Sequence, residues 1–305
     1  MAVTLTQLTA FLAVVRRGSV TAAAEDLVVT QPSVSAAVAA LERELGAKLT
    51  ERDGRGLKPT AAGRAFAPYA EHVLGLLEQG SRAAREAVDD ARRTLRVSAV
   101  ATAGEHFVPL LIKVFAEHHP ELVISLDVGS RADVFQRLVG REVDVGITGR
   151  VPDDPWLSGE AFAPNDLVIV TAEGDPLAKR QSLEVEELGH CTWLVREEGS
   201  GSRALCLRYL KANKLEPQLL TLGSNGAIRE ATRVGLGIAL MPRIAVEVDL
   251  QHRLLAEVNV RAPLPRRAWH VVYVSEGPVR PEVRAFVDFL QSNAARRVLA
   301  RARES

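Results

Sequence analysis

The most concentrated chemistry in the chain lies in six consecutive residues, Gly199-Ser200-Gly201-Ser202-Arg203-Ala204. Two glycines, two hydroxyls and an arginine follow an apolar run ending at Val195 and open a helical pattern, so backbone N–H groups at the positive end of a helix can cradle an anion. The same run fits the G-x-G-x-x-A spacing of a dinucleotide site. No acidic residue closes a following strand at the distance that would reach a ribose, so a full dinucleotide site is not expected. A tight turn is the plainer alternative. Thr102, Ser130 and Arg150 each follow an apolar, strand-like run, Arg196 comes directly after the run ending at Val195, and Asn225 opens a helix. In α/β sheets, ligands collect at the carboxyl ends of strands. Several donors without nearby paired carboxylates predict an anionic ligand. Catalysis is not expected: there is no G-x-S-x-G elbow, no Walker lysine, no H-E-x-x-H and no Cys/His group at metal spacing. No catalytic residue, metal or cofactor is assigned, and His118 and His119 suit a helix end.

These residues need elements to hold them. A chain of 305 residues makes about two globular units. Hydrophobic residues at 47% and charged residues at 25% suit real cores. Lys and Arg together number 38, as do Asp and Glu, which excludes a globally basic chain but not a local basic surface. The apolar stretch Leu8 to Val15 is too short for a secretory leader and is followed by Arg16 and Arg17 where positive residues should precede it. No run reaches membrane-spanning length, and two cysteines make no disulfide framework. A reducing cytoplasm is the expected compartment.

Leu5, Leu8, Leu12 and Val15 repeat at helical spacing. Ser19 is placed to cap a helix from Val20 to Leu27, and Thr30 a second one with Pro32 in its first turn, which runs through Val34, Val38, Leu41 and Leu45 to a stop at Gly46. Two helices with a short connector have the spacing of a helix-turn-helix. Asp53-Gly54-Arg55-Gly56 signals a small hairpin, or wing. From Ala61 to about Arg92 the residues Ala62, Phe66, Tyr69, Val73, Leu76, Gly80, Ala84, Ala87 and Ala91 form a nearly heptad seam. Such a helix is too long for so small a domain to bury, so pairing with a second copy is expected. From Thr94 onward apolar strands alternate with helices, giving a parallel or mixed sheet covered on both faces. Expected strands include 95–99, 123–128, 143–148, 236–241 and 270–274; expected helices include Glu105 to His118 and a last one from Glu282 to Leu290.

The run Leu8, Phe11, Val15, Gly18, Ser19, Thr21, Ala23, Ala24, Leu27, then Thr30-Gln31-Pro32-Ser33-Val34-Ser35, Leu41-Glu42 and Leu45-Gly46, with Thr60, Ala62 and Gly63, resembles the DNA-binding domain of LysR-type transcriptional regulators. Val20 and Thr50 depart from the family, which has Phe often at the first and usually at the second. The C-terminal half, through Arg196 to Arg203, Leu222 to Asn225 with Ala227-Ile228, and Gly235 to Ala239, is similar to regulators of carbon-fixation operons. The resemblance covers the whole chain. It implies an α+β multidomain fold: a winged helix-turn-helix over 1–60, a linker and dimerisation helix over 61–93, and over 94–305 a two-lobed α/β effector domain like a type 2 periplasmic binding protein. Because such a fold crosses its hinge twice, lobe one is expected over 94–164 and 267–305 and lobe two over 165–266.

Double-stranded promoter DNA, a second copy through the linker helix, a tetramer of such dimers and a small anionic metabolite are the implied partners. Thr30, Gln31, Pro32, Ser33 and Ser35 would then meet DNA, Gln pairing with adenine and Ser with bases or phosphate, while Arg52, Arg55 and Lys58 on the wing hold phosphates. Seven basic against six acidic side chains in residues 1–60 make one copy a weak polyanion binder, which two half-sites would offset. The cleft would gather Thr102, Ser130 and Arg150 from one lobe and Arg196, Ser200, Ser202, Arg203 and Asn225 from the other. Peroxide-sensing relatives use two cysteines in this lobe; Cys191 and Cys206 lie farther apart than that pattern asks, so structural cysteines are expected. An enzyme built on the α/β half is the rival from another class, and it leaves the first 60 residues unexplained.

Overall fold

Caps define the first elements. The computed structural model describes residues 3–54, 56–88 and 93–304. In it, Thr4 opens α1 (Leu5–Arg17) with a reciprocal capping box to Gln7. Ser19 caps α2 (Val20–Leu27), Thr30 caps α3 (Gln31–Leu45), and Gly46 ends α3 at φ 64°, a left-handed turn that glycine adopts without Cβ strain. Phe11, Ala23, Val34, Leu41 and Leu49 from these helices and the following loop form one core. The hairpin β1 (Thr50–Asp53) and β2 (Gly56–Pro59) is antiparallel and is tied to the helices by Leu57, whose N–H donates to the Gly18 carbonyl at 2.8 Å. Buried Glu42 accepts from Lys48 Nζ at 2.6 Å, from the N–H groups of Leu49 and Thr50 at 2.9 and 3.2 Å, and from the Thr50 hydroxyl at 3.3 Å. Thr50, where the resembled family usually has Phe, is therefore a polar partner of the carboxylate.

Helix α4 (Ala61–Val88) divides the expected seam. Ala62 and Phe66 pack on the N-terminal core, with the Phe66 ring 5.8 Å from that of Phe11, whereas Tyr69, Val73, Leu76 and Leu77 are exposed. The expectation that the whole seam lacks a partner within its own chain is corrected: its first turns are anchored, and the apolar exposure begins at Tyr69. Residues 89–92, which include the seam position Ala91, lie outside the described residues, and so does the side chain of Ala87.

The chain divides into two compact units, Met1–Ala91 with Val139–Glu142, and Arg92–Leu138 with Val143–Ser305. The second unit begins with β3 (Thr94–Val100), α5 (Ala101–His106), α6 (Val108–His118), β4 (Val123–Gly129), α7 (Arg131–Val139), β5 (Val145–Thr148) and β6 (Leu157–Pro164). It continues through β7 (Leu167–Ala172), β8 (Trp193–Arg196), α8 (Gly201–Ala212), β9 (Leu219–Leu222), α9 (Asn225–Arg233), β10 (Ala239–Pro242), α10 (Glu247–Gln251) and β11 (Leu255–Glu257), and ends with β12 (Ala268–Val274), α11 (Pro281–Gln291) and α12 (Asn293–Glu304).

One sheet has the order β4-β3-β5-β12-β6, with β3 parallel to β4 and β5, and β12 antiparallel to β5 and β6. The other lobe has β7 between β10 and β11, and parallel β8 and β9 joined to it by the bridge between Trp193 and Ile238. The lobes have separate cores, the first centred on Leu95, Phe107, Phe115, Ile147 and Phe286, the second on Ile169, Trp193, Val168 and Ile228.

Four expectations change. The helix expected over Glu105 to His118 is two, broken at Phe107 (φ −138°) just ahead of Pro109, which cannot donate to a continuing helix. The strand expected from Leu236 begins at Ala239, because Gly235 turns at φ 80° and a Cβ on Gly237 would stand 2.3 Å from the Thr192 carbonyl oxygen. Strands β6 and β11 were not expected; β6 is held by seven pairings along β12. The helix ending near Leu290 is followed by α12.

Candidate functional site

At the start of α3, Thr30, Gln31, Pro32, Ser33 and Ser35 are all exposed, while Val34 and Val38 turn into the core. The hydroxyls of Thr30 and Ser33 lie 2.8 Å apart at the cap, so Ser33 is oriented by the helix end, with Gln31 and Ser35 exposed beside it. A helix N-terminus with such side chains matches the geometry of a helix entering a major groove. Arg52 and Lys58 are exposed on the hairpin. Lys58 lies 3.3 Å from Asp53 and 4.0 Å from Glu51, exposed pairs worth about 0–1 kcal/mol that a phosphate can displace. Arg55 lies outside the described residues.

The second unit has a cavity of about 70 Å³ between its lobes. Thr102, Ser130 and Arg150 reach it from the ends of β3, β4 and β5, and Arg196, Ser200 and Ser202 from the end of β8 and the start of α8. Gly199 turns at φ 84°, and Ser200 caps α8 by accepting from Ser202 N at 3.2 Å. Ser130 exchanges bonds with Asp133, donating from its N–H at 2.9 Å and accepting at its hydroxyl at 3.2 Å. Asn225 joins the lobes: its Nδ2 donates to the Thr102 hydroxyl at 2.8 Å, and its Oδ1 accepts from Arg196 Nη1 at 2.8 Å. Arg196 also clasps Glu197 through two bonds of 2.7 and 2.8 Å. Arg203 points elsewhere. Its guanidinium donates to the Arg196 carbonyl at 3.0 Å and to the Thr221 hydroxyl at 3.1 Å, so it supports the strand end and does not line the cavity.

Two arginines that the sequence reading passed over complete the lining, Arg131 and Arg267. The Arg267 guanidinium lies so close over Gly149 that an added Cβ there would meet it at 2.0 Å, and Arg131 Nη1 stands 3.5 Å from where a Cβ on Gly201 would be. Burial, then the charges of Arg208 and Arg131, pushes Arg267 down to about 10. Burial, followed by Arg150 and Arg208, lowers Arg131 as well. Among the described lining residues the carboxylate is Glu197, already held by Arg196. Positive charge is thus concentrated against like charge, an arrangement that a multiply charged anion relieves. One signal was available: Arg131 directly follows Ser130 in a loop already singled out.

Burial pushes the Cys206 thiol up to about 12, and burial with Asp175 raises Cys191, so neither is held as a reactive thiolate. Among the described residues no cluster of His, Cys, Asp and Glu is placed to hold a metal ion, and no helix is long and apolar enough to cross a membrane.

Residues 5–64 match the family model of the bacterial regulatory helix-turn-helix protein, lysR family, and residues 89–295 that of the LysR substrate binding domain. The chain is similar to a RuBisCO operon transcriptional regulator of Allochromatium vinosum, at 33% identity over 97% of this chain and 98% of that one. Among solved structures it is similar to an OxyR mutant of Corynebacterium glutamicum, with TM-score 0.63 and 26% identity over 99% of this chain and 94% of that one. It is also similar to the CcmR regulatory domain of Synechocystis PCC6803 in complex with 2-PG, with TM-score 0.61 and 25% identity over 65% of this chain and 95% of that one.

Proposed function

Since the chain belongs to the LysR family of bacterial DNA-binding transcriptional regulators, we propose that its cleft senses a small phosphorylated carboxylate of the 2-phosphoglycolate type. The observation that carries this reading is the arginine group, Arg131, Arg150 and Arg267 with Arg208 nearby, crowded without a free carboxylate among the described lining residues. The likeness to a regulatory domain solved with 2-PG supports the same class of ligand, and the RuBisCO operon regulator among the relatives supports a role in carbon metabolism. In this reading Thr102, Ser130, Ser200, Ser202 and the first N–H groups of α8 hold the oxygens. Arg196 joins them by leaving Glu197 or Asn225. The anion would draw the lobes together by binding both, and only a ligand that prefers one arrangement shifts an equilibrium.

At the other end, α3 would read bases through Gln31 and Ser35, with Thr30, Pro32 and Ser33 fixing its first turn and Arg52, Arg55 and Lys58 on phosphates. We assign residues 1–60 to DNA, 61–93 to self-association through Tyr69, Val73 and Leu76, and 94–305 to the effector, with a tetramer as the assembled form. The test is calorimetry of the full chain with 2-phosphoglycolate, glycolate and inorganic phosphate. The expected order is strongest for 2-phosphoglycolate, with at least a tenfold loss in Arg150→Ala, about what one charge-assisted hydrogen bond supplies. Equal binding by wild type and Arg150→Ala would overturn the assignment.

A further inference from the structure

Glu197 is a carboxylate in the wall of a cavity lined by arginines. Its two oxygens accept from Arg196 Nε at 2.7 Å and Nη2 at 2.8 Å, the planar fork that a bound carboxylate or phosphate would also take. On its other side Arg196 Nη1 donates to Asn225 Oδ1, and Asn225 Nδ2 to the Thr102 hydroxyl, each at 2.8 Å. Four side chains thus run as one line from the second lobe to the first. Its two ends differ in burial. Asn225 and Thr102 are buried, and a broken bond there would strand an amide away from water. The Arg196 side chain is 14% exposed and that of Glu197 41%, so Glu197 can turn into solvent, where such pairs contribute little. Arriving oxygens would therefore displace Glu197 and leave Asn225 in place. The Arg196 guanidinium, by its hydrogen bonds, also holds the Glu197 carboxyl below its ordinary value of 4.5, so it stays charged at neutral pH.

Resting on the reading of this cleft as an anion site, we propose that Glu197 determines its specificity as a tethered competitor for Arg196, setting a threshold that a singly charged ligand does not clear and a multiply charged one does. A lone carboxylate offers Arg196 the same fork that Glu197 already supplies, so the exchange gains nothing, and a competitor on the adjoining residue cannot diffuse away. A ligand with a second charged group gains from the exchange, because Arg131, Arg150 and Arg267 line the same cavity. The buried end of the line need not break: a hydroxyl that accepts from Asn225 keeps its own hydrogen, so Thr102 can still donate to a ligand oxygen. Apparent affinity falls by the fraction of time that Arg196 is free, so a competitor present about nine-tenths of the time weakens binding about tenfold.

The experiment is calorimetry of the full chain with 2-phosphoglycolate and glycolate as probes, in wild type, Glu197→Gln, Glu197→Ala, Glu198→Gln and Arg150→Ala. Wild type is expected to bind 2-phosphoglycolate well above glycolate. Glu197→Gln, which keeps the shape and removes the charge, is expected to bind 2-phosphoglycolate about tenfold more tightly than wild type, and glycolate by at least the same factor. Glu197→Ala, which leaves no acceptor for Arg196, is expected to gain at least as much. Glu198 is exposed beside it and has the same charge, so Glu198→Gln is the control and is expected to change affinity less than about twofold, as a solvated charge would. Absence of a gain in either Glu197 variant would overturn the proposal and make Glu197 a support for Arg196. An equal gain in Glu198→Gln would overturn it in favour of general charge, and equal affinity of wild type for the two probes would remove the threshold. A wild type that binds 2-phosphoglycolate no better than Arg150→Ala does would overturn the reading of the cleft itself, and this inference with it.

Discussion

Burial and neighbouring arginines both oppose the charges of Arg131 and Arg267, and the proposed anion site rests on that cost. Arg131→Gln removes one repelling charge, so the unliganded protein is expected to melt no lower, and by relief of repulsion higher, while 2-phosphoglycolate affinity falls about tenfold or more. Scanning calorimetry beside titration checks both, and a lowered Tm would mean that Arg131 is structural. The opposite case is Glu42. Burial would raise its carboxyl, but Lys48 and two backbone N–H groups hold it below its ordinary value of 4.5. That stabilisation is full above this value and is lost as the pH falls through the lower, folded one. Glu42→Gln is expected to cost about 2 kcal/mol at neutral pH and to lessen the acid sensitivity of the winged domain, followed by circular dichroism. Sequence reading located residues of the right type but not their direction. Arg203 belongs to the Gly-rich run, yet its position in the first turn of α8 turns it back onto the Arg196 carbonyl. The lining Arg131 lies one residue from a position already chosen.

Helices announced themselves through their ends. Ser19, Thr30 and Gly46 cap and stop α2 and α3 where local chemistry alone predicts, so the reading of α3 as the base-contacting element needed no tertiary information. Strand β6 was illegible because its residues, Leu157–Pro164, become a strand through pairing with β12, a hundred residues later in the chain. If α3 reads bases and the wing holds phosphates, Gln31→Ala should cost about 1–3 kcal/mol on the preferred sequence and blur preference. Arg52→Ala should weaken all duplexes alike and lower the salt slope by about one. Anisotropy titrations at several salt concentrations separate the two, and equal losses on preferred and random duplex would contradict the division. Helix α4 leaves Tyr69, Val73 and Leu76 exposed beyond its anchored first turns. If the proposed self-association uses this face, Val73→Glu is expected to give a monomer in sedimentation where the unaltered chain gives a dimer, without lowering helicity.

Two units, one bearing exposed groups suited to DNA and the other an arginine-lined cleft, make a sensor only if occupancy of one changes the behaviour of the other, a coupling that ordinarily amounts to about 1–3 kcal/mol and is reciprocal. Composition with no net charge gave no hint of this function; the pattern of α3 and the cleft loops did, because each concentrates one kind of chemistry in a few residues. The most direct test is footprinting on a duplex selected by the full chain from random sequences, with and without 2-phosphoglycolate, in wild type and Arg131→Gln. The expected result is an anion-dependent change in the extent or affinity of the footprint in wild type that Arg131→Gln abolishes while its anion-free footprint stays the same. An identical footprint with and without the anion in wild type, at concentrations that saturate the cleft by calorimetry, would contradict the account.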